Sequence, residues 1–265
     1  MVDKVPDVSV GEMGGDWVIF ALSRSGTEAA SQDYYDAYYD NIRGLLKSNR
    51  GVLSRKSLTS YERVSMALTS IGKDPKKVEG YDLTKRIDNY ADVSGQGYNA
   101  EMFALISSSY CGFSLKNEKR YLKDVLGCQL KNGAMTLDDE TADVDMTAMG
   151  IQALSPYIKQ EKCAKAISRA LSWLSRKQSS DGSYDSAEST AQVIIALGSL
   201  ARDPLTDKAF IKDHGDLGDG LMKYSHGSAF EHKKGDGANL MATIQALCAL
   251  DALKLAKEGK NIYEK

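Results

Sequence analysis

Apolar and small residues gather in six stretches of the chain: DWVIFAL, ERVSMAL, AEMFALI, MTAMGIQAL, STAQVIIAL and LMATIQAL. Each holds an Ala-Leu pair, at Ala21-Leu22, Ala67-Leu68, Ala104-Leu105, Ala153-Leu154, Ala196-Leu197 and Ala246-Leu247. The pairs recur at intervals of 37 to 50 residues, too long for one helix and right for two helices with their loops. A period in this range marks a helical-hairpin repeat. The dipeptide also occurs at Ala170-Leu171, so the surrounding pattern carries the argument.

Between these stretches lie more polar, amphipathic segments. The clearest runs from Lys162 to Lys177, with Ile167, Leu171 and Leu174 at intervals of three and four, one stripe of a helix opposite a basic face. Others are predicted at about 33–47, 82–90, 118–130 and 215–224. Each leads into a glycine turn, at Gly51, Gly97, Gly133, Gly182 and Gly227, where a positive φ ends one helix before the next begins. The Ala-Leu segments are apolar or small on nearly every side, which predicts burial all round; the others keep one wet face. The alternation predicts an all-α fold, an α/α toroid in which about six parallel inner helices are surrounded by an outer ring. A two-domain all-α bundle is the alternative.

Composition agrees. Lys+Arg is 34 against Asp+Glu 36, and charged residues make up 26%, so no overall field favours nucleic acid or an anionic membrane. No apolar run is long enough for direct membrane insertion. Residues 1–13 lack the apolar core of a signal peptide and are expected to be a tail or cloning remnant on a domain cut from a longer protein. A single domain is expected over 14–265. Cys111, Cys128, Cys163 and Cys248 sit in apolar helical patterns without CxxC spacing, as buried free thiols do.

If the inner helices run parallel, their N-termini gather at one mouth with their unpaired N–H groups. The residues expected there are Asp16, Glu62, Glu101, Asp143, Asp145 and Glu188, with Asn239 in the sixth position. Each alone reads as helix capping or dipole compensation; together they predict a polar rim for a ligand. Trp17, Tyr61, Tyr98, Tyr184 and Phe230 fall near the same end, to offer flat apolar faces or to plug the barrel. His232 joins the candidate ligand-binding set of Trp17, Glu62, Tyr98, Glu101, Asp143, Asp145, Tyr184, Glu188 and Phe230.

The segment from Lys177 and Gln178 through Asp181 and Gly182 to Tyr184 resembles the Gln-containing repeat of squalene cyclases. The run Asp143-Val144-Asp145-Met146 resembles an inner-helix start in that superfamily. The stretches ESTAQVIIALGSL and GSAFEHKKGDGANLMATIQALCAL are similar to prenyltransferase-type repeat domains of Gram-positive bacterial surface proteins, distantly similar to the transcobalamin and intrinsic-factor α-domain. The resemblance covers about residues 14–253. It implies the toroid, an extracellular or cell-surface location, other domains of a longer surface protein as partners, and cobalamin or another medium-sized molecule as ligand.

Fold alone licenses no activity. In a class II cyclase the resemblance makes Asp145 the proton donor and Asp143 its neighbour, but the D-x-D-D run ends in Met146, and two Trp with five Phe supply few faces for carbocations. A prenyltransferase zinc site needs Asp, Cys and His together. His214, His226 and His232 lie in one late stretch; His232 and Asp236 are within reach of each other, and Cys248 is about three turns deeper. No metal site is expected. Asp138, Asp139 and Glu140 read as a solvated loop without calcium-loop spacing. Gly95-x-Gly97 lacks the strand of a dinucleotide fingerprint. Tyr34, Tyr35, Tyr38 and Tyr39 read as packing. The expectation is therefore a non-catalytic ligand-binding or interaction domain. The alternative is a cyclase, prenyltransferase or carbohydrate-active toroid enzyme using acids at the same mouth.

Overall fold

The computed structural model describes residues 9–26 and 30–264. The repeat predicts one domain over 14–265; packing divides the chain into two compact units, one reaching to Tyr121 and the other spanning Leu122–Glu264. Of the expected tail, residues 1–8 lie outside the described residues, while Gly11 is tied down. Its N–H donates to Asp16 Oδ1 at 3.0 Å, and its carbonyl accepts from Ser60 Oγ at 2.9 Å and Arg63 Nη2 at 3.0 Å. The boundary of the folded part therefore moves before residue 13.

The first unit holds α1 (Met13–Arg24), α2 (Gln32–Ser48), α3 (Thr59–Ser70), α4 (Thr84–Ile87), α5 (Tyr90–Ser94) and α6 (Tyr98–Cys111). The Ala-Leu helices α1, α3 and α6 pack on one another, and α3 and α6 bury residues around most of their circumference. The amphipathic α2 buries only Tyr38, Ile42 and Leu46, one stripe at intervals of four. Tyr38 is thus a core residue, and its hydroxyl donates to Asp16 Oδ1 at 2.9 Å. The single helix expected over 82–90 is instead two short ones. The chain leaves the helical region at Asn89 (ψ 89°), and Asp82, just before α4, accepts from Thr84 N at 3.0 Å. The apparent dinucleotide glycines are boundary residues: Gly95 closes α5, and Gly97, at φ 90°, opens α6.

The unit boundary falls within α7 (Glu118–Gly127). The second unit continues with β1 (Met135–Thr136) paired antiparallel to β2 (Ala142–Asp143), then α8 (Val144–Leu154), α9 (Glu161–Lys177), α10 (Ala187–Ser199) and α11 (Leu217–Met222). It ends with β3 (Ser225–His226), β4 (Ala229–Glu231) and β5 (Ala238–Asn239) in one antiparallel sheet, followed by α12 (Leu240–Lys257). Helix α10 packs between α8 and α12. The four cysteines are free thiols; Cys128, Cys163 and Cys248 are buried and Cys111 is half-buried.

One local device starts α8, α10 and α12. The N-cap residues Asp143, Ser186 and Asn239 accept from the backbone N–H three residues on. Four residues after each cap stands a threonine, Thr147, Thr190 or Thr243. Its hydroxyl donates to the cap carbonyl and accepts the N–H of Met135, Tyr184 or Phe230 at 2.8, 3.0 and 2.9 Å. The preceding strand or turn is thereby welded to the helix start. Replacing buried Thr190 by valine keeps the shape but orphans the Tyr184 N–H, which costs about 1–3 kcal/mol. A drop of that size is expected in chemical denaturation at neutral pH.

A second device holds the turns. Gln129 Nε2 donates to the carbonyls of Gly133 and Ala166 at 3.0 and 2.8 Å; Gln178 Nε2 donates to those of Gly182 and Phe210 at 3.0 and 2.9 Å. The glutamine of the 177–184 motif is thus a clamp between its own turn and the next segment of chain.

Candidate functional site

The six acids expected at one mouth separate by burial. In the first unit Asp16, Glu62 and Glu101 are buried, at 1%, 0% and 3% exposure. In the second, Asp143 is exposed, and Asp145 and Glu188 are half-buried. Capping explains only Asp143 and Asn239; the other five acids lie in first turns, inside their helices.

Asp16 accepts from Gly11 and Tyr38 and lies 3.5 Å from Arg63 Nε. Burial nonetheless outweighs these donors and pushes its carboxyl up to about 7. Glu62 is fully enclosed, and neither carboxyl oxygen has a hydrogen-bond partner among the described residues. Desolvation drives its pKa well above the ordinary value, against the pull of Arg63. Trp17 is half-buried and packs its ring at 5.5 Å from Phe20 and 5.7 Å from Phe103. Tyr98, at the start of α6, is half-buried. Tyr61 turns its hydroxyl onto Leu53 N at 3.0 Å and is core.

The accessible acids are in the second unit. Asp143 caps α8, accepting from Met146 N at 2.7 Å. Asp145 sits two residues on, at the first turn. Its pKa is raised, first by desolvation and further by Asp143 and Glu188, while a hydrogen bond from Ser189 and the nearness of His232 oppose the shift. Oδ1 of Asp145 is shielded from solvent and has no hydrogen-bond partner among the described residues, which favours the proton-bearing form. Glu188 Oε2 meets His232 Nδ1 at 2.9 Å. The backbone holds that histidine in place, because Ala187 N donates to His232 O at 3.1 Å. Asp145, Glu188, Ser189 and His232 thus converge from α8, the start of α10 and the residue after β4.

One expectation is corrected here. Tyr184 offers no face to a ligand: it is 3% exposed, and its hydroxyl donates to Leu174 O at 2.8 Å. Phe230 is half-buried against Ala187, Tyr224 and Ala242, so it supports the floor of α10 and α12. His232 pairs with Glu188, whereas Asp236 Oδ2 accepts from Lys233 N at 3.2 Å within its own turn. No group of three metal-ligating side chains occurs among the described residues. Asp138 organises its loop by accepting from Thr136, Glu140 and Thr141, and these bonds hold its carboxyl well below the usual range.

Sequence reasoning passed over Ser189 and three glutamines. On α8, Asp145, Met149 and Gln152 share one face; on α10, Ser189 and Gln192 do. Gln152 Nε2 donates to Gln192 Oε1 at 2.9 Å, and Gln192 Nε2 donates to Gln245 Oε1 on α12 at 3.0 Å. A helical-face reading from Asp145 reaches Gln152 on the same helix; the partners on α10 and α12 are brought to it by packing. Elsewhere, a groove of about 520 Å³ runs along α9, lined by Ile158, Ile167, Leu171, Leu200 and Arg202 among others; it carries no acid.

No protein-family model matches the chain, and no curated protein matches it significantly. Solved structures do match. Candida albicans protein geranylgeranyltransferase-I complexed with GGPP is similar over 97% of this chain and 88% of its own, at 11% identity and TM-score 0.65. The Lin0763 protein of Listeria innocua covers 93% and 86%, at 11% identity and TM-score 0.59. Unsaturated glucuronyl hydrolase of Bacillus sp. GL1, responsible for glycosaminoglycan degradation, covers 95% and 87%, at 12% identity and TM-score 0.55. The chain has the all-α fold of these proteins, the α/α toroid expected from the repeat. At such identities the likeness extends to the fold alone.

Proposed function

We propose that the protein binds a hydroxyl-rich ligand of the saccharide class at Asp145, Glu188, Ser189 and His232, and that Asp145 donates a proton to it. The observation that carries this reading is Asp145 itself: an acid held above its ordinary range, beside a glutamate–histidine pair, on a half-buried helix start. A carboxyl whose hold on its proton is strengthened by burial and by neighbouring acids suits protonation of an acetal oxygen, the step that opens glycoside hydrolysis. Carboxylate, hydroxyl and imidazole groups also match the hydrogen-bonding surface of a sugar. A prenyl diphosphate would call for cationic side chains, and these four residues supply two acids, a hydroxyl and one histidine. One of the fold neighbours is a glycosaminoglycan-degrading hydrolase, which supports the ligand class by analogy. A glycan ligand accords with the extracellular or cell-surface location that the surface-protein resemblance implies.

The test is a titration of the protein with neutral and acidic oligosaccharides, with cyanocobalamin in parallel, followed by assay of any bound glycan for cleavage. Asp145→Asn is expected to lose cleavage by about 10²-fold or more, the scale of general acid catalysis, while retaining the fold. Saccharide binding without cleavage in the wild type would leave a lectin-like domain and remove the proton-donor role. Binding of cyanocobalamin alone would replace the saccharide reading with a corrinoid one.

A further inference from the structure

The three glutamines form a directed chain. Tyr263 donates its hydroxyl to Gln152 Oε1 at 2.6 Å, Gln152 Nε2 donates to Gln192 Oε1, and Gln192 Nε2 donates to Gln245 Oε1. The orientation is set at Gln152, whose Nε2 also lies 3.4 Å from the backbone carbonyl of Gln192. That carbonyl can only accept, so the Gln152 amide nitrogen must point to α10 and every later amide follows suit. The chain ends at Gln245 Nε2, for which no partner occurs among the described residues. Gln152 is buried, but Gln192 and Gln245 are half-exposed. Each link polarises the next, so the terminal N–H is a strengthened donor.

This terminus lies below the acid site. Asp145 and Ser189 form one rung between α8 and α10, and Gln152 and Gln192 form the next. From Asp145 to Gln152 is seven residues, about 10 Å along the helix, close to the span of two sugar rings. These helices bring no cation to that level: α8 and α10 contain no lysine or arginine, and those of α12 are Lys254 and Lys257, in its last turn.

We propose that Gln245 Nε2 is the specificity-determining donor of a second subsite, which receives a neutral hydroxyl or ring oxygen of the saccharide. A uronate there would be left without a cation and would face Asp145 and Glu188 on the same ligand path, so the ligand class is neutral oligosaccharide. This rests on the saccharide reading above.

Gln245→Glu separates the two. The substitution keeps an acceptor for Gln192 and removes the terminal donor; Gln245→Met removes both without adding charge, and thermal melting checks the fold of each. The probes are maltotriose, cellotriose and trigalacturonate in ligand-observed NMR titrations. The expected result is that wild type binds a neutral trisaccharide and not trigalacturonate. Both Gln245 variants then bind the neutral trisaccharide about tenfold more weakly, as loss of one neutral hydrogen bond implies. Wild-type affinity in both folded variants, or binding of trigalacturonate in preference, overturns the subsite and leaves the acid site standing. Failure of wild type to bind any saccharide overturns both.

Discussion

Glu62→Gln is expected to stabilise the protein above pH 7, with a gain that grows as pH rises. The side chain is fully enclosed, and its two oxygens have no hydrogen-bond partner among the described residues. Its folded pKa therefore lies above its unfolded one. The folded state keeps a proton that the unfolded chain gives up above the ordinary carboxylate range. Stability is thus full below about pH 4.5 and falls as pH climbs, until the folded group itself ionises. While the acid stays protonated, each pH unit costs about 1.4 kcal/mol. Glutamine is neutral throughout and escapes this loss. At pH 4 the variant should match or fall slightly below wild type, because a buried amide also lacks partners. Urea midpoints measured from pH 4 to pH 8.5 test this, and parallel curves for the two proteins would refute it. Asp16 adds a second fall in the same direction, between about pH 4 and its raised value of about 7, and remains in the Glu62→Gln variant as an internal control.

Gly182→Ala should be among the most damaging single substitutions in the second unit. Gly182 has φ +84°, which L-residues with a Cβ adopt only under strain. A Cβ there would lie 1.8 Å from the carbonyl oxygen of Asp216, a backbone atom that cannot rotate away. Relief requires separating the 178–184 turn from the start of α11. That movement pulls on the Gln178 clamp to Gly182 and Phe210 and on the Asp216 capping box. Strain and lost bonds together should exceed about 3 kcal/mol, read as a large fall in melting temperature or as failure to fold. Gly227, at φ +62° with nothing near its Cβ position, gives the comparison: alanine there should cost about 1 kcal/mol. Equal effects at the two positions would refute the close-approach argument.

Helix periodicity is a local property, which is why the six Ala-Leu helices and the amphipathic α2 and α9 are legible in the chain. A stripe of leucines, a capping aspartate and a glycine turn each act within a few residues, and so the repeat and the α/α class follow from them. The same local logic overextended at 82–90, where Asn89 breaks the helix, and at 215–224, where α11 keeps only Leu217–Met222. The mouth residues show the limit most clearly. Glu62 and Glu188 both stand in the first turn of an Ala-Leu helix, yet one is sealed with no hydrogen-bond partner among the described residues and the other meets His232. What surrounds a first turn comes from distant chain: Gly11 and Tyr38 around Asp16, the β4–β5 turn beside Glu188. Tyr184 likewise looks like a ligand face in sequence but is core, its backbone N–H donating to Thr190 Oγ1 and its hydroxyl to Leu174 O. The glutamine chain joins positions 152, 192, 245 and 263, separations that no local pattern reports. By itself the sequence determined the strongly periodic helices and the repeat class, because both rest on patterns within a few residues. Burial, the pKa of each acid and the partners of each polar group depend on contacts between remote segments, and only the tertiary structure decided those.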